Sequence, residues 1–135
     1  MIADTCAPLW RAHAGDQHVG AVTIDDQTLF VGSDDGHLYA FPKGGCGHAV
    51  CEPAWSTSVG SGVHLPSVAG GVVYVGAQDG RVRAYDARGC GAATCAPRWT
   101  SAGTGAPIRN APVIAGGRVF TVNDSGTLSV FGLPN

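Results

Sequence analysis

Charge is scarce in this chain, and so is anything that would build a long helix. Charged residues make up 13% of the 135 positions, the formal net charge is −2, and the eight Lys and Arg side chains are scattered. That scatter excludes the clustered basic footprint of a nucleic-acid or anionic-membrane binder. No apolar run approaches the roughly 18 residues of a membrane-spanning helix. No segment combines a 3.6-residue period with helical length. Chemical motifs are missing too: there is no G-x-S-x-G, no Cys-His pair at a meaningful spacing and no glycine-rich loop opening a helix. The opening residues, Met1 to Gly15, lack the charged end and apolar run of a signal peptide.

What is present is glycine, 21 residues of it, between short runs of Val, Leu, Tyr and Phe. That combination implies many tight turns between short strands. The runs repeat. FVGSDDG from Phe30, YVGAQDG from Tyr74 and FTVNDSG from Phe120 recur at spacings of 44 and 46 residues. A second phrase keeps step with them: TCAPLW from Thr5, VCEPAW from Val50 and TCAPRW from Thr94, at spacings of 45 and 44. A fixed period of this size marks units that bury their apolar faces against their neighbours.

Within a unit the period is 2. Val73 and Val75 alternate with Val72 and Tyr74, the chain turns at Gln78-Asp79-Gly80, and Arg81 to Tyr85 resume the alternation. Asp-Gly at this turn and at Asp35-Gly36 predicts a type I′ hairpin, with positive φ at both residues. Asn123-Asp124-Ser125-Gly126 reads as a slightly longer version, and Gly70-Gly71 and Gly116-Gly117 as further hairpin turns. An innermost strand is expected at 18–24, 64–69 and 109–115, and an outermost, Trp-bearing strand at 7–12, 53–57 and 97–101.

Four short antiparallel strands, A to D, every 40 to 50 residues describe a β-propeller blade; a single β-sandwich is the alternative. The expected organisation is all-β: a lone outer strand in 1–15, blades at 16–60 and 61–105, and three strands of a last blade in 106–135. Together these are about three four-stranded blades, fewer than the roughly four of the smallest propeller. The chain is therefore expected to be a partial propeller, the last part of a longer one, or half of an assembled ring.

Five cysteines follow the same period. Cys46 and Cys51, and Cys90 and Cys95, bracket the connection between the third and fourth strands, and Cys6 aligns with the second member of each pair. The expected partner of Cys6 would precede Met1, which is why truncation within a repeat is expected and Cys6 is read as unpaired. Two short-loop disulfides, each contributing roughly 2 kcal/mol, are the favoured reading and imply export. Zinc is the rival, with His48 as a third donor, although each loop offers only two thiolates.

The phrase from Pro66 to Ala87, followed by a Trp, resembles the pyrroloquinoline-quinone (PQQ)-like β-propeller repeat. The resemblance implies an Ala-x-Asp, a Gly-bearing turn and a Trp that dock one blade on the next. Ala84, Asp86, Gly89 and Trp99 match it, as do Ala40, Gly44 and Trp55 with Pro42 in place of the Asp. Val130 and Gly132 break the pattern in the third unit. Trp10, Trp55 and Trp99 are thus expected at blade–blade contacts. Dehydrogenases of this family use eight blades, a calcium-bound quinone and adjacent cysteines, and this chain has no Cys-Cys pair. Cofactor-free members act as binding scaffolds, and the chain resembles these more.

No catalytic, cofactor-binding or metal-binding residue stands out. Asp25-Asp26 and Asp34-Asp35 read as turn residues, and His13, His37 and His48 as turn or strand-end positions. His18, His64, Arg109 and Asn110 fall where inner strands begin and propeller side chains face the central channel; they are either ligand-facing or solvated channel lining. The leading expectation is a non-catalytic, exported module of the cell envelope or exterior. It would present its D–A and B–C loops to a protein, peptide or glycan partner and take up no cofactor. The alternatives are a C-terminal piece of a dehydrogenase using PQQ with calcium, and a self-assembling six-bladed dimer.

Overall fold

The computed structural model describes residues 6–15, 19–60, 62, 63 and 65–133. Among them the regular elements are all strands: β1 (Arg11–Ala12), β2 (Val19–Ile24), β3 (Thr28–Ser33), β4 (His37–Pro42), β5 (Val50–Cys51), β6 (Trp55–Ser58), β7 (Ser67–Ala69), β8 (Val72–Gly76), β9 (Val82–Asp86), β10 (Trp99–Thr100), β11 (Val113–Ala115), β12 (Arg118–Val122) and β13 (Leu128–Gly132). They form antiparallel sheets in the orders β2-β3-β4-β6 (blade I), β7-β8-β9-β10 (blade II) and β11-β12-β13 (blade III). The chain is all-β and built of propeller blades.

Alternation along each strand places one set of side chains on each neighbouring blade. Phe30, Leu38, Ala40 and Trp55 of blade I meet Val73, Val75 and Tyr85 of blade II in one buried cluster. The residues between them, Tyr74, Val82 and Ala84, turn the other way and join Ile108 and Val119 in a second cluster, with Trp99, Ile114 and Phe131 at its margin. Each blade face therefore needs a neighbour to bury it.

The turns differ from expectation in one respect. Among the described residues no non-glycine has positive φ, so Asp35 and Asp79 cannot occupy a type I′ turn. Instead Gly36 N–H donates to the Ser33 carbonyl (3.1 Å), Gly80 N–H to Ala77 (3.0 Å) and Gly126 N–H to Asn123 (3.0 Å). Only the closing glycine of each is left-handed, the pattern of a type I turn followed by a glycine bulge. The third turn is thus the same as the others rather than longer. Gly70-Gly71 and Gly116-Gly117 are both left-handed throughout and do make the two-residue hairpin.

The inner strands are also shorter than the pattern suggests. β7 starts at Ser67 and β11 at Val113, each directly after a proline, Pro66 or Pro112, whose missing N–H cannot join a ladder. Arg109 and Asn110 consequently lie in a connection rather than at the head of β11. The outer strand expected at 7–12 is regular only at Arg11–Ala12, where it pairs in parallel with β5 inside the cysteine loop of blade I.

Candidate functional site

The D–A connections and the B–C turns form one rim, stitched by backbone hydrogen bonds. In the connection from β6 to β7, Val63 N–H donates to the Ser33 carbonyl and Gln78 N–H to the Gly62 carbonyl, both at 3.1 Å. The connection from β10 to β11 repeats this on the next pair of turns. Thr104 N–H donates to Gly80 (2.9 Å), Ile108 N–H to Ala77 (3.1 Å) and Asp124 N–H to Pro107 (2.9 Å). Val63 and Ile108 are buried and anchor these loops. Ile108 fits only because position 76 is glycine: a Cβ there would lie within 2.3 Å of Ile108 Cγ2.

Arg109 and Asn110 follow that anchor and are exposed on the rim. Arg109 Nε donates to Asp124 Oδ2 at 2.5 Å, joining the connection to the B–C turn of blade III. His18 and His64, the other two candidates, lie outside the described residues. Sequence reasoning did not single out Asp124 or the Asp79–Arg83 pair. Arg83 Nη1 and Nη2 donate to the two Asp79 carboxylate oxygens at 3.1 and 2.6 Å. Their i, i+4 spacing across a hairpin was the available signal. Burial alone would raise the Asp79 carboxyl, but the Arg83 hydrogen bonds, the Arg81 N–H and both guanidinium charges hold it below its ordinary value. Asp35 behaves alike: burial would raise it, yet the Tyr39 hydroxyl at 2.6 Å and the His37 N–H at 2.9 Å hold it low.

The opposite rim carries the cysteine loops. Cys46–Cys51 and Cys90–Cys95 are disulfides with Cα–Cα distances of 5.7 and 5.8 Å, which removes the thiolates a zinc site would need. Cys6 is unpaired and exposed. Each loop receives the Trp of the preceding outer strand. Trp55 lies on Gly89 and 6.3 Å from the Tyr85 ring. Ser56 N–H donates to Ala93 (2.8 Å), Cys95 N–H to Ser56 (3.3 Å), and the Thr57 hydroxyl to the Cys95 carbonyl (2.5 Å).

One unit earlier Trp10 lies on Gly45 and 6.5 Å from Phe41, while Arg11 N–H donates to Ala49 (2.9 Å). The glycine beneath Trp10 is Gly45; Gly44, expected in that role, has open space at its Cα. Asp86 shapes the blade II turn: its carboxylate accepts from Arg88 N–H at 2.9 Å, and its carbonyl from Gly89 N–H at 3.0 Å. Pro42 serves blade I through its carbonyl, which accepts from Gly45 N–H at 3.1 Å. Ala84 pairs with Trp99, whose ring meets Phe131 edge-on at 5.8 Å.

Between the A–B turns of blades I and II is an open cleft of about 510 Å3, lined by Asp25, Asp26, Gln27, Gly70, Gly71 and Arg88 among others. Among the described residues no group of three or more His, Cys, Asp and Glu is placed to hold a metal ion.

A family model described as outer membrane protein assembly factor BamB matches residues 2–90 and, overlapping, 47–133. Solved structures of similar fold include the WD40 β-propeller domain of Doa1, at 16% identity and a TM-score of 0.70 over 89% of this chain and 39% of that one. The computationally designed Ika4 protein is 20% identical, with a TM-score of 0.65 over 88% of this chain and 70% of that one. The designed Ika8 protein, also 20% identical, has a TM-score of 0.64 over 87% of this chain and 35% of that one. At such identities the likeness is one of fold. No curated protein matches.

Proposed function

Because the chain belongs to the family of the outer membrane protein assembly factor BamB and is built of PQQ-like β-propeller repeats, we propose that it is a non-catalytic module that binds polypeptide segments in an oxidising, extracytoplasmic compartment. The observation that carries this reading is the stitched rim. Its loops are anchored by buried Val63 and Ile108 and tied to the turns on either side. Arg109 and Asn110 therefore stand on a backbone that has little freedom left to lose on binding. The two disulfides support the compartment, since such bonds persist where thiols are not kept reduced. The family's name ties its eponym to the assembly of outer membrane proteins, which favours a polypeptide over a glycan as the partner. The reading requires no cofactor.

Fluorescence anisotropy with a panel of labelled unstructured peptides (acidic, basic, and alternating apolar–polar) tests it. Saturable binding to one class, weakened about tenfold or more by Arg109→Ala with Asn110→Ala, is expected, a difference of about 1.4 kcal/mol. No saturation with any class, or binding untouched by the double substitution, overturns it.

A further inference from the structure

Blade III has an apolar face with nothing over it among the described residues. Phe120, Leu128 and Val130 stand one repeat after Tyr74, Val82 and Ala84, and two after Phe30, Leu38 and Ala40. The six earlier side chains are all buried under the following blade, whereas Leu128 is 62% and Val130 48% exposed. The sheet has an open edge at the same place. β4 pairs with β6 and β9 with β10, but among the described residues β13 pairs only with β12.

The opposite face of the molecule supplies what is missing there. β1 sits on blade I as β6 sits on blade II: Trp on glycine, and backbone to cysteine loop. No inner strand is paired to β1 among the described residues, its only partner being β5. Beside it the outer face of blade I carries Leu29, Val31 and Phe41, the counterparts of Val73, Val75 and Tyr85 that cover blade I from blade II. Val31 and Phe41 are already buried and Leu29 half-buried, which leaves Val22 and Ile24 as the exposed apolar part of that face.

The inner strands match as well. At the two internal interfaces a hydroxyl crosses to a proline carbonyl, Thr23 to Pro66 at 2.6 Å and Ser67 to Pro112 at 2.5 Å. The counterparts on the uncovered faces are Val113, 60% exposed, and Val22, 59% exposed. Here Val113 has no hydroxyl to donate, and the side chains of Val113 and Val22 offer an apolar contact in place of that hydrogen bond.

We propose that the chain pairs head to tail with a second copy of itself, β1 of each copy joining β13 of the other as the fourth strand of blade III. The register follows from the internal sheets, where Ala40 pairs with Trp55 and Ala84 with Trp99. Val130 then pairs with Trp10 of the second copy, Ser129 with Arg11, and Leu128 with Ala12. Leu9 N–H donates to the Val130 carbonyl, as Ala54 does to Ala40 and Arg98 to Ala84.

Two copies of these 135 residues bring six blades, within the range of about four to eight in which propellers close. Closure leaves no β13 edge open to unwanted pairing. The proposal deepens the binding-module reading by naming one partner, and it rests on the propeller fold rather than on what the rim binds.

Light scattering after size exclusion without reductant tests it on the full chain. The expected mass is twice the 13.7 kDa of one chain. Leu128→Lys and Val130→Lys alter side chains exposed in the single copy, so each is expected to halve the mass while leaving the circular dichroism spectrum and the disulfides unchanged. In a Cys6→Ser background, mixing an Arg11→Cys protein with a Ser129→Cys protein is expected to give a cross-linked dimer. A His13→Cys protein mixed with the same partner is out of register and is expected to give far less. A single-chain mass at concentrations up to about 1 mM overturns the proposal. So does a dimer indifferent to both lysine substitutions and without the Arg11–Ser129 cross-link. The peptide panel reports separately: a monomer that binds peptides leaves the rim reading standing, and a dimer that binds none overturns only that reading.

Discussion

Trp55 and Gly89 lie against each other across the interface of blades I and II, where a Cβ on Gly89 would stand 2.7 Å from the indole Cδ1. The two belong to different repeats, and Trp10 with Gly45 makes the same contact one unit earlier at 2.8 Å. Each disulfide loop is thus a clasp: its glycine seats the preceding Trp, and its backbone pairs with the strand that carries it. Blade order is held by this contact as well as by the apolar clusters between sheets.

Gly89→Ala and Gly91→Ala separate the clasp from backbone strain. Both glycines are left-handed, with φ of 85° and 82°, but a methyl added at Gly91 would meet nothing within 4 Å. Gly91→Ala is expected to cost about 1 kcal/mol for the φ alone. Gly89→Ala adds the collision with Trp55 and is expected to cost about 2–4 kcal/mol. Urea unfolding without reductant, followed by Trp fluorescence, measures both.

Removing the second disulfide with Cys90→Ala and Cys95→Ala is expected to cost about 2 kcal/mol by loop entropy. Reductant is expected to lower the Tm of the wild type. A variant lacking all four bonded cysteines is expected to show no such drop. Thermal melts with and without dithiothreitol check this.

Thr57 is buried and donates its hydroxyl to the Cys95 carbonyl of the next blade. Thr57→Val keeps the shape and leaves that carbonyl short of a donor, at an expected cost of about 1–3 kcal/mol. The same substitution at exposed Thr100 is expected to change stability by less than about 0.5 kcal/mol. Chemical denaturation of the pair gives the difference.

Asp79 confers a pH dependence of known sign. Its folded pKa lies below the ordinary 3.8, so its contribution is full above about pH 4 and is lost as pH falls through the folded value. The pair with Arg83 is a third exposed on the Asp side, which limits it to about 1 kcal/mol or less. Asp79→Asn is expected to be less stable than the wild type by that amount at pH 7 and to converge with it at acid pH. Unfolding curves at both pH values test the convergence.

What was legible in the residue string is whatever depends on neighbours along the chain. The three-fold phrase, the alternation of Val72 to Gly76 and the paired glycines at 70–71 and 116–117 reveal the blades. The spacing of Cys46 from Cys51 and of Cys90 from Cys95 anticipates their bonds.

Even locally, Asp35-Gly36 fits two turns that both want a left-handed glycine, and the φ of Asp35 and the carbonyl accepting from Gly36 N–H distinguish them. Pro66 and Pro112 shorten the inner strands, which moves Arg109 and Asn110 onto the rim beside Asp124. The sequence by itself determined the repeat, the strands and the disulfide loops, because a two-residue alternation and a six-residue Cys loop are properties of short segments. Only the tertiary structure decided that Gly45 rather than Gly44 seats Trp10, that β1 pairs with β5, and which faces stay uncovered. Those contacts join residues separated by a whole connection or a whole blade, and their geometry is set by how one sheet packs on the next.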